Sequence, residues 1–249
     1  MFDRFMRPIA LALVLFLLAP LARADMLPLP NNLTDLNSDE GEKYFIESGA
    51  LATFFSIADN FVTQKTQAYC GIASIVMVLN AAGVPAPTTP EYQPYHVFTQ
   101  DNVLDDRTEK ILPRDVLARQ GTTLDQLGGL LALHPLTVEV RHAADGGLDT
   151  FRAAAREYLA TRGHFVIVNY LRKALGQQTG GHISPLAAYD GKEDRFLILD
   201  VARYKYPPVW VKASDLFDAM NTTDSANDNK TRGYVLVAKT GAAATTPVQ

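Results

Sequence analysis

The apolar positions along the chain change period near its middle. Ile72, Ile75, Val76 and Leu79 fall at helical spacing, and Gly83 followed by Pro85 closes the run, which predicts a helix from about Cys70 to Ala82. Leu112–Arg119 reads as a short helix. Thr122 or Thr123 caps another, with Leu124, Leu127, Leu130 and Leu131 on its buried face. Val138–His142 alternates like a strand, and Leu148–Arg162 is amphipathic, with Asp149 near its start and Gly163 at its end. From residue 165 the period shortens. Phe165–Leu171, Ile183–Tyr189 and Phe196–Ala202 are β-branched and aromatic runs, and the last two are separated by the turn Asp190-Gly191-Lys192-Glu193-Asp194. Ser214 is placed to cap a short helix through Met220, and Gly233–Ala238 reads as a closing strand. Asp25–Asp39, the four-proline stretch Val84–Gln100 and the polar stretch Asn221–Lys230 read as irregular, the last as a mobile loop. Helices first and antiparallel strands after make an α+β fold.

Composition narrows the classes. The 249 residues, 47% apolar and 20% charged, suit one well-packed domain, or at most two small ones, without solenoid repeats. Arg4 and Arg7, the apolar run Ile9–Leu21 and the small residues of Ala22-Arg23-Ala24 have the build of a secretory signal peptide cleaved after Ala24. An uncleaved membrane anchor is the competing reading, although the run is shorter than the ~20 residues that span a bilayer. The expected layout is therefore a signal peptide over residues 1–24, a single domain over 25–239, and an Ala/Thr-rich disordered tail over 240–249. The mature protein is then exported, periplasmic or secreted, and free of the membrane. Met1–Ala24 carries three Arg and one Asp, so its removal takes the net charge from −4 to about −6. A mildly acidic chain without a basic block is a poor partner for nucleic acid. Cys70 is the only cysteine, which excludes an intramolecular disulfide or a four-cysteine zinc site.

Cys70 opens the first strong helix. There, unpaired backbone N–H groups and the positive end of the dipole favour the thiolate, and its own N–H can face a developing oxyanion. Gln64, six residues earlier, is placed to supply a second donor. The bland alternative is a buried cysteine behind a polar loop. A nucleophile needs a base. His96, His134 and His142 lie in or beside irregular stretches or at the end of a weak strand and read as surface or packing residues, whereas His164 and His182 both follow Gly and open strands. If the hairpin loop is the three residues Asp190-Gly191-Lys192, Tyr189 faces Glu193 and His182 faces Asp200, which puts a carboxylate beside the imidazole. The alternative for Asp200 is an ion pair with Arg203.

At these residues the sequence resembles the phytochelatin synthase family, a branch of the papain-like cysteine peptidase superfamily. The matching stretches are Gln64–Ala81 (QKTQAYCGIASIVMVLNA), Phe165–Tyr189 (FVIVNYLRKALGQQTGGHISPLAAY), Phe196–Trp210 (FLILDVARYKYPPVW) and Thr231–Val237 (TRGYVLV). The resemblance implies a papain-like fold with a helical half bearing the nucleophile and a sheet half bearing His and Asp. It implies Cys70 as nucleophile, His182 as acid/base, Asp200 as its orienter and Gln64 in the oxyanion hole. The implied reaction is attack on the Cys–Gly carbonyl of glutathione, release of glycine, and a γ-Glu-Cys acyl-enzyme passed to water or to a second glutathione. The chain has no thiol after Cys70, unlike the Cys-rich plant enzymes, and in this it resembles the short prokaryotic members; hydrolysis is expected to dominate, with transpeptidation secondary.

Glutathione offers two carboxylates and an ammonium group, so its pocket calls for a bidentate Arg and polar amides. Arg232 is the first choice, with Tyr234 two residues on and on the same strand face; Asn169 and Arg203 are further contact candidates. A structural ion pair is the alternative for Arg203, and a surface charge for Arg232. No resident metal or cofactor is required, and cadmium or zinc would enter as a metal–glutathione thiolate substrate. Glutathione or related γ-Glu-Cys peptides are the expected partners, and both a monomer and a homodimer are compatible with the sequence. Two other functions compete: a general or leader-peptide cysteine peptidase, which the triad geometry alone would permit, and an inert protein binding thiol peptides or metal thiolates, which a complete triad argues against.

Overall fold

The computed structural model describes residues 26–240, so the expected signal peptide and the tail beyond Thr240 lie outside the described residues. Seven strands form one antiparallel sheet: β1 (Leu33–Asp35), β2 (Leu136–His142), β3 (His164–Leu171), β4 (Gly181–Asp190), β5 (Arg195–Ile198), β6 (Val209–Lys212) and β7 (Gly233–Lys239). Their order across the sheet is β1-β6-β5-β4-β3-β7-β2. The helices are α1 (Asp39–Glu47), α2 (Phe54–Asp59), α3 (Cys70–Ala81), α4 (Asp106–Glu109), α5 (Arg114–Gln120), α6 (Leu124–Leu131), α7 (Leu148–Leu159) and α8 (Ala213–Met220). Among the described residues the first six helices precede residue 132 and five of the seven strands follow residue 163, as the change of period predicts. No helix of the described residues is long and apolar enough to cross a membrane.

Alternation along the strands separates two cores. Phe165, Ile167, Val235 and Val237 face the layer built from α3 and α6, while Val166, Val168, Tyr170 and Leu236 face α7 and α8. Helix α3 is buried on every side from Cys70 to Leu79. Its β-branched residues Ile72, Ile75, Val76 and Val78 are weak helix formers, yet each is at most 1% exposed. Burial of about 1.5–3 kcal/mol for each such side chain outweighs that propensity cost of a few tenths. Ser74 Oγ donates to the carbonyls of Cys70 and Ile183, which ties the start of α3 to β4. On the same face as α3, toward the β1 edge of the sheet, the indole of Trp210 is buried and donates to Gly41 O at 3.0 Å, edge-on to Tyr44.

Several expectations are corrected. The leader is not wholly irregular, because Leu33–Asp35 pairs with β6 as a three-residue edge strand too short to show a period. Helices α1 and α2 and strand β6 also go unseen in the apolar pattern; β6 follows Pro207-Pro208 and is only four residues long. Ser214 is not a cap. Helix α8 begins at Ala213, with Lys212 at the cap position and Ser214 Oγ turned to Asp215. Thr123 does cap α6, in a reciprocal box with Gln126. The β4–β5 loop has four residues, Gly191–Asp194, and Tyr189 pairs with Phe196. With a further register shift between Leu186 and Ala188, His182 and Asp200 are not strand partners, and β5 ends at Ile198. The stretch Asn221–Lys230 closes on itself through Asp224 N–Lys230 O and Asn227 N–Asp224 O, and Lys230 pairs with Asp125 at 2.7 Å.

Candidate active site

The ends of β3, β4 and β7 that carry Asn169, His182 and Gly233 lie together, and the N-terminus of α3 points at them. A cavity of about 520 Å³ opens there, lined on the α3 side by Thr66, Cys70 and Thr122 and on the sheet side by Asn169, His182 and Arg232. Loop Gly121–Thr123 packs tightly over the helix start, since a Cβ at Gly71 would lie 2.8 Å from Thr122 Cβ. Only a glycine lets the two segments approach this closely.

Cys70 is 7% exposed, and it lines the cavity beside His182, the side chain that most favours its thiolate. Burial opposes ionisation, but the His182 bond and charge, with the N–H groups of Ile183 and Gly71, outweigh it and hold the thiol below its ordinary pKa. His182 Nε2 lies 2.9 Å from Asp200 Oδ1 and 2.9 Å from Ser184 Oγ, which leaves Nδ1 for the thiol. Burial lowers the His182 pKa and Arg172 opposes its charge, yet Asp200 and the bond to Cys70 carry it above the ordinary imidazole value. Asp200 is fully buried; burial raises its pKa, but His182 and Arg172 bring it down to about 2. The arrangement stabilises a thiolate–imidazolium pair backed by a permanent carboxylate.

Cys70, His182, Asp200, Asn169 and Arg232 come together as expected for one site. Gln64 is buried close by, with its backbone N–H on Val201 O, but its side-chain amide donates to Thr66 O at 2.8 Å and to the Tyr204 hydroxyl at 3.1 Å. Tyr234 and Arg203 are elsewhere. Arg232 precedes β7, so strand alternation does not carry from it to Tyr234, which packs on Phe151 in the opposite core. Arg203 is exposed, with its guanidinium over the Phe61 ring at 4.6 Å. His164, the competing base, packs edge-on against Tyr158 at the opposite end of β3.

Three residues that the sequence reading did not single out join the site. Arg172 bonds Asp200, Asp224 stands 3.6 Å from Arg232, and Ser184 bonds His182. Ser184 was within reach, because it shares a strand face with His182 two residues away. Arg232 is anchored at Nη1 by Thr222 O and Oγ1 and by Thr223 O, at 3.4, 3.2 and 2.6 Å. Its Nε has no hydrogen-bond partner among the described residues. Gly181 leaves room along the Nε–Nη2 edge, where a Cβ would come within 3.3 Å of Nε and 3.4 Å of Nη2. No group of three or more His, Cys, Asp or Glu suited to a metal ion occurs among the described residues.

Comparison with known proteins places this site in a family. The family model described as phytochelatin synthase matches residues 24–234. The chain is 35% identical over 217 residues to Glutathione gamma-glutamylcysteinyltransferase 3 of Lotus japonicus, covering 86% of this chain and 44% of that one. It is 34% identical over 221 residues to Glutathione gamma-glutamylcysteinyltransferase 1 of Triticum aestivum, covering 88% and 43%. With Glutathione gamma-glutamylcysteinyltransferase of Schizosaccharomyces pombe the identity is 29% over 217 residues, covering 84% and 50%. The chain thus spans about half the length of these curated relatives. With Cys70, His182 and Asp200 all inside the matched segment, the chain belongs to the phytochelatin synthase family.

Proposed function

We propose that this protein cleaves glutathione at its Cys–Gly bond through a γ-Glu-Cys thioester on Cys70. The observation that carries the reading is the Cys70 thiol set against His182, itself 2.9 Å from Asp200, at the wall of a cavity whose other side carries Arg232, with Nη2 3.6 Å from Asp224 and Nε without a hydrogen-bond partner among the described residues. A nucleophile at the start of a buried helix, set against an antiparallel sheet that carries the base, also supports a papain-like fold.

The Cys70 thiolate attacks the carbonyl carbon, and the developing oxyanion meets the Cys70 backbone N–H. Gln64 joins as a second donor if its amide releases Thr66 or Tyr204. The His182 imidazolium gives its proton to the glycine nitrogen, the C–N bond breaks and glycine leaves. Neutral His182 then takes a proton from the acceptor. Water yields γ-Glu-Cys, and the α-amine of a second glutathione yields the chain-extended peptide. The relatives' printed names, glutathione gamma-glutamylcysteinyltransferase, support the transfer route; we propose that water competes with the second glutathione and that hydrolysis dominates.

At the other end of the substrate, the Nε–Nη2 edge of Arg232 takes the α-carboxylate of the γ-Glu residue in a bidentate pair, and Asp224 takes its ammonium group. Asn169 supplies an amide from β3. Cadmium or zinc participates as a thiolate of the substrate, without a resident metal. The N-terminal leader is read as exporting the domain, which N-terminal sequencing of the mature protein checks. The decisive experiment incubates wild type and Cys70→Ser with glutathione, with and without cadmium or zinc, and quantifies glycine, γ-Glu-Cys and longer peptides. Cys70-dependent glycine release supports the reading, and mostly extended product would overturn dominance of hydrolysis. Release of glycine from α-linked peptides at the same rate would favour a general cysteine peptidase.

A further inference from the structure

We propose that Arg172 is a positioning residue of this site, holding Asp200 against His182 and completing a buried set of charges that stays neutral in both halves of the catalytic cycle. Arg172 follows β3 directly and is 3% exposed. Its Nη2 lies 2.8 Å from Asp200 Oδ1 and 2.7 Å from Oδ2. Its Nη1 donates to Gln177 Oε1 at 2.8 Å, and the guanidinium carbon stands 5.1 Å from the centre of the Tyr206 ring. Its backbone is fixed as well: Arg172 N donates to Gly180 O at 3.0 Å, and Gln177 N donates to Arg172 O at 3.1 Å. Asp200 Oδ1 is thereby shared among His182 Nε2, Arg172 Nη2 and Ala202 N.

The need for a second cation follows from the cycle. In the resting pair, Cys70 is a thiolate and His182 an imidazolium, so Asp200 has a charged partner. In the thioester both have lost their charge, and His182 must be neutral to accept a proton from the incoming nucleophile. Asp200, with no exposed surface, would then be a lone buried anion. Such a charge is costly enough that the imidazole would keep its proton instead. Arg172 removes that penalty: it neutralises Asp200 in both states and leaves His182 free to release its proton.

The groups facing His182 are Cys70 from α3, Tyr170 from β3, Ser184 from β4 and Asp200 beyond β5, with Arg172 behind the carboxylate. Tyr206 backs the guanidinium, and the Tyr204 hydroxyl interacts with Arg172, Asp200 and Cys70 at longer range. Among them Arg172 is the one permanent cation, and loss of a positive charge raises the pKa of every neighbour.

This inference rests on Cys70 and His182 forming the reactive pair proposed above, but not on the identity of the substrate. Its test is therefore alkylation of Cys70, the sole cysteine, by iodoacetamide across pH in the full chain, with glycine release from glutathione followed in parallel. In Arg172→Gln the labelling midpoint is expected to rise on the order of one pH unit, given an effective dielectric near 20. Glycine release should fall, with a larger burst of acylation relative to turnover. Arg172→Lys, which keeps the charge, should return the midpoint close to wild type. A folded Arg172→Gln protein whose profile superposes on wild type overturns the proposal. If Arg172→Gln does not fold, the same comparison is made between Asp200→Asn and Asp200→Asn/Arg172→Gln, where the new pair is neutral. An upward shift is again expected there, and superposition again overturns. Absence of glycine release from a wild type that labels normally would instead reject the glutathione reading and leave the labelling comparison to decide the role of Arg172.

Discussion

His182 Nε2 and Asp200 Oδ1 lie 2.9 Å apart without being strand partners. The carboxylate arrives from beyond the end of β5, where Leu199 N donates to Pro185 O, Val201 N to Ser184 Oγ and Ala202 N to Asp200 Oδ1. The contact therefore depends on how the chain leaves the sheet rather than on hairpin register. Because Arg172 also bonds Asp200, replacing the carboxylate does more than release an imidazole. Asp200→Asn should lower kcat for glycine release by about a hundredfold or more and leave Arg172 as an uncompensated buried cation. Breaking one partner of such a pair costs on the order of 3–5 kcal/mol, so the melting temperature should drop as well. Calorimetry beside a glycine assay checks both, and an unchanged melt would contradict the buried pair.

Activity should follow a bell in pH. The active form holds the thiolate and the imidazolium together, so rate falls below the apparent pKa of the pair on the acid side, where the Cys70 thiol is depressed, and above the one on the alkaline side, where His182 is raised. Stability adds a separate acid limb. Asp200 is held at about 2, below its unfolded value, so its contribution, on the order of 2 kcal/mol, is complete above the unfolded carboxylate pKa and is lost as pH falls toward 2. Chemical denaturation between pH 2 and 6 measures this.

Arg232→Ala should raise KM for glutathione about tenfold or more with little change in kcat, because the guanidinium binds a part of the substrate remote from the reacting carbonyl. Arg232→Lys should recover little, since an ammonium cannot present the two-point edge. Gly181→Ala crowds that edge from the other side and should raise KM in the same direction. Steady-state kinetics on the three variants decides, and a pure kcat defect would move Arg232 out of the binding role.

Ser184→Ala removes the hydroxyl that bonds His182 Nε2 and accepts from Val201 N. A loss of about 1 kcal/mol in stability and a several-fold fall in kcat are expected, with KM nearly unchanged. Wild-type kinetics in this variant would show that Asp200 alone orients the ring.

The nucleophile helix was legible because its apolar spacing and its Gly-Pro stop are local features. The pairing of His182 with Asp200 was also reached, but through a hairpin register that the structure does not have; two residues brought together by the fold admit more than one route in a one-dimensional argument. Arg172 left no trace in the pattern, since a cation after an apolar strand reads as a solvated strand end until tertiary packing shows Asp200 beneath it. Tyr234 was misplaced for the converse reason: a two-residue period was applied across the start of β7, where Arg232 does not yet belong to the strand. Local periodicity carries the elements, whereas charge networks at the ends of elements are set by contacts distant in sequence.

The single tryptophan provides a consequence for experiment. Trp210 is fully buried, bonded to Gly41 O, and lies on β6, separated from β7 by three intervening strands and outside the cavity. Its fluorescence should therefore be insensitive to substrate occupancy and shift to the red only when the sheet and α1 come apart. The protein carries an intrinsic optical reporter of global unfolding that is separate from its chemistry. Stability of every active-site variant can be followed by that signal while the reaction is read through its products.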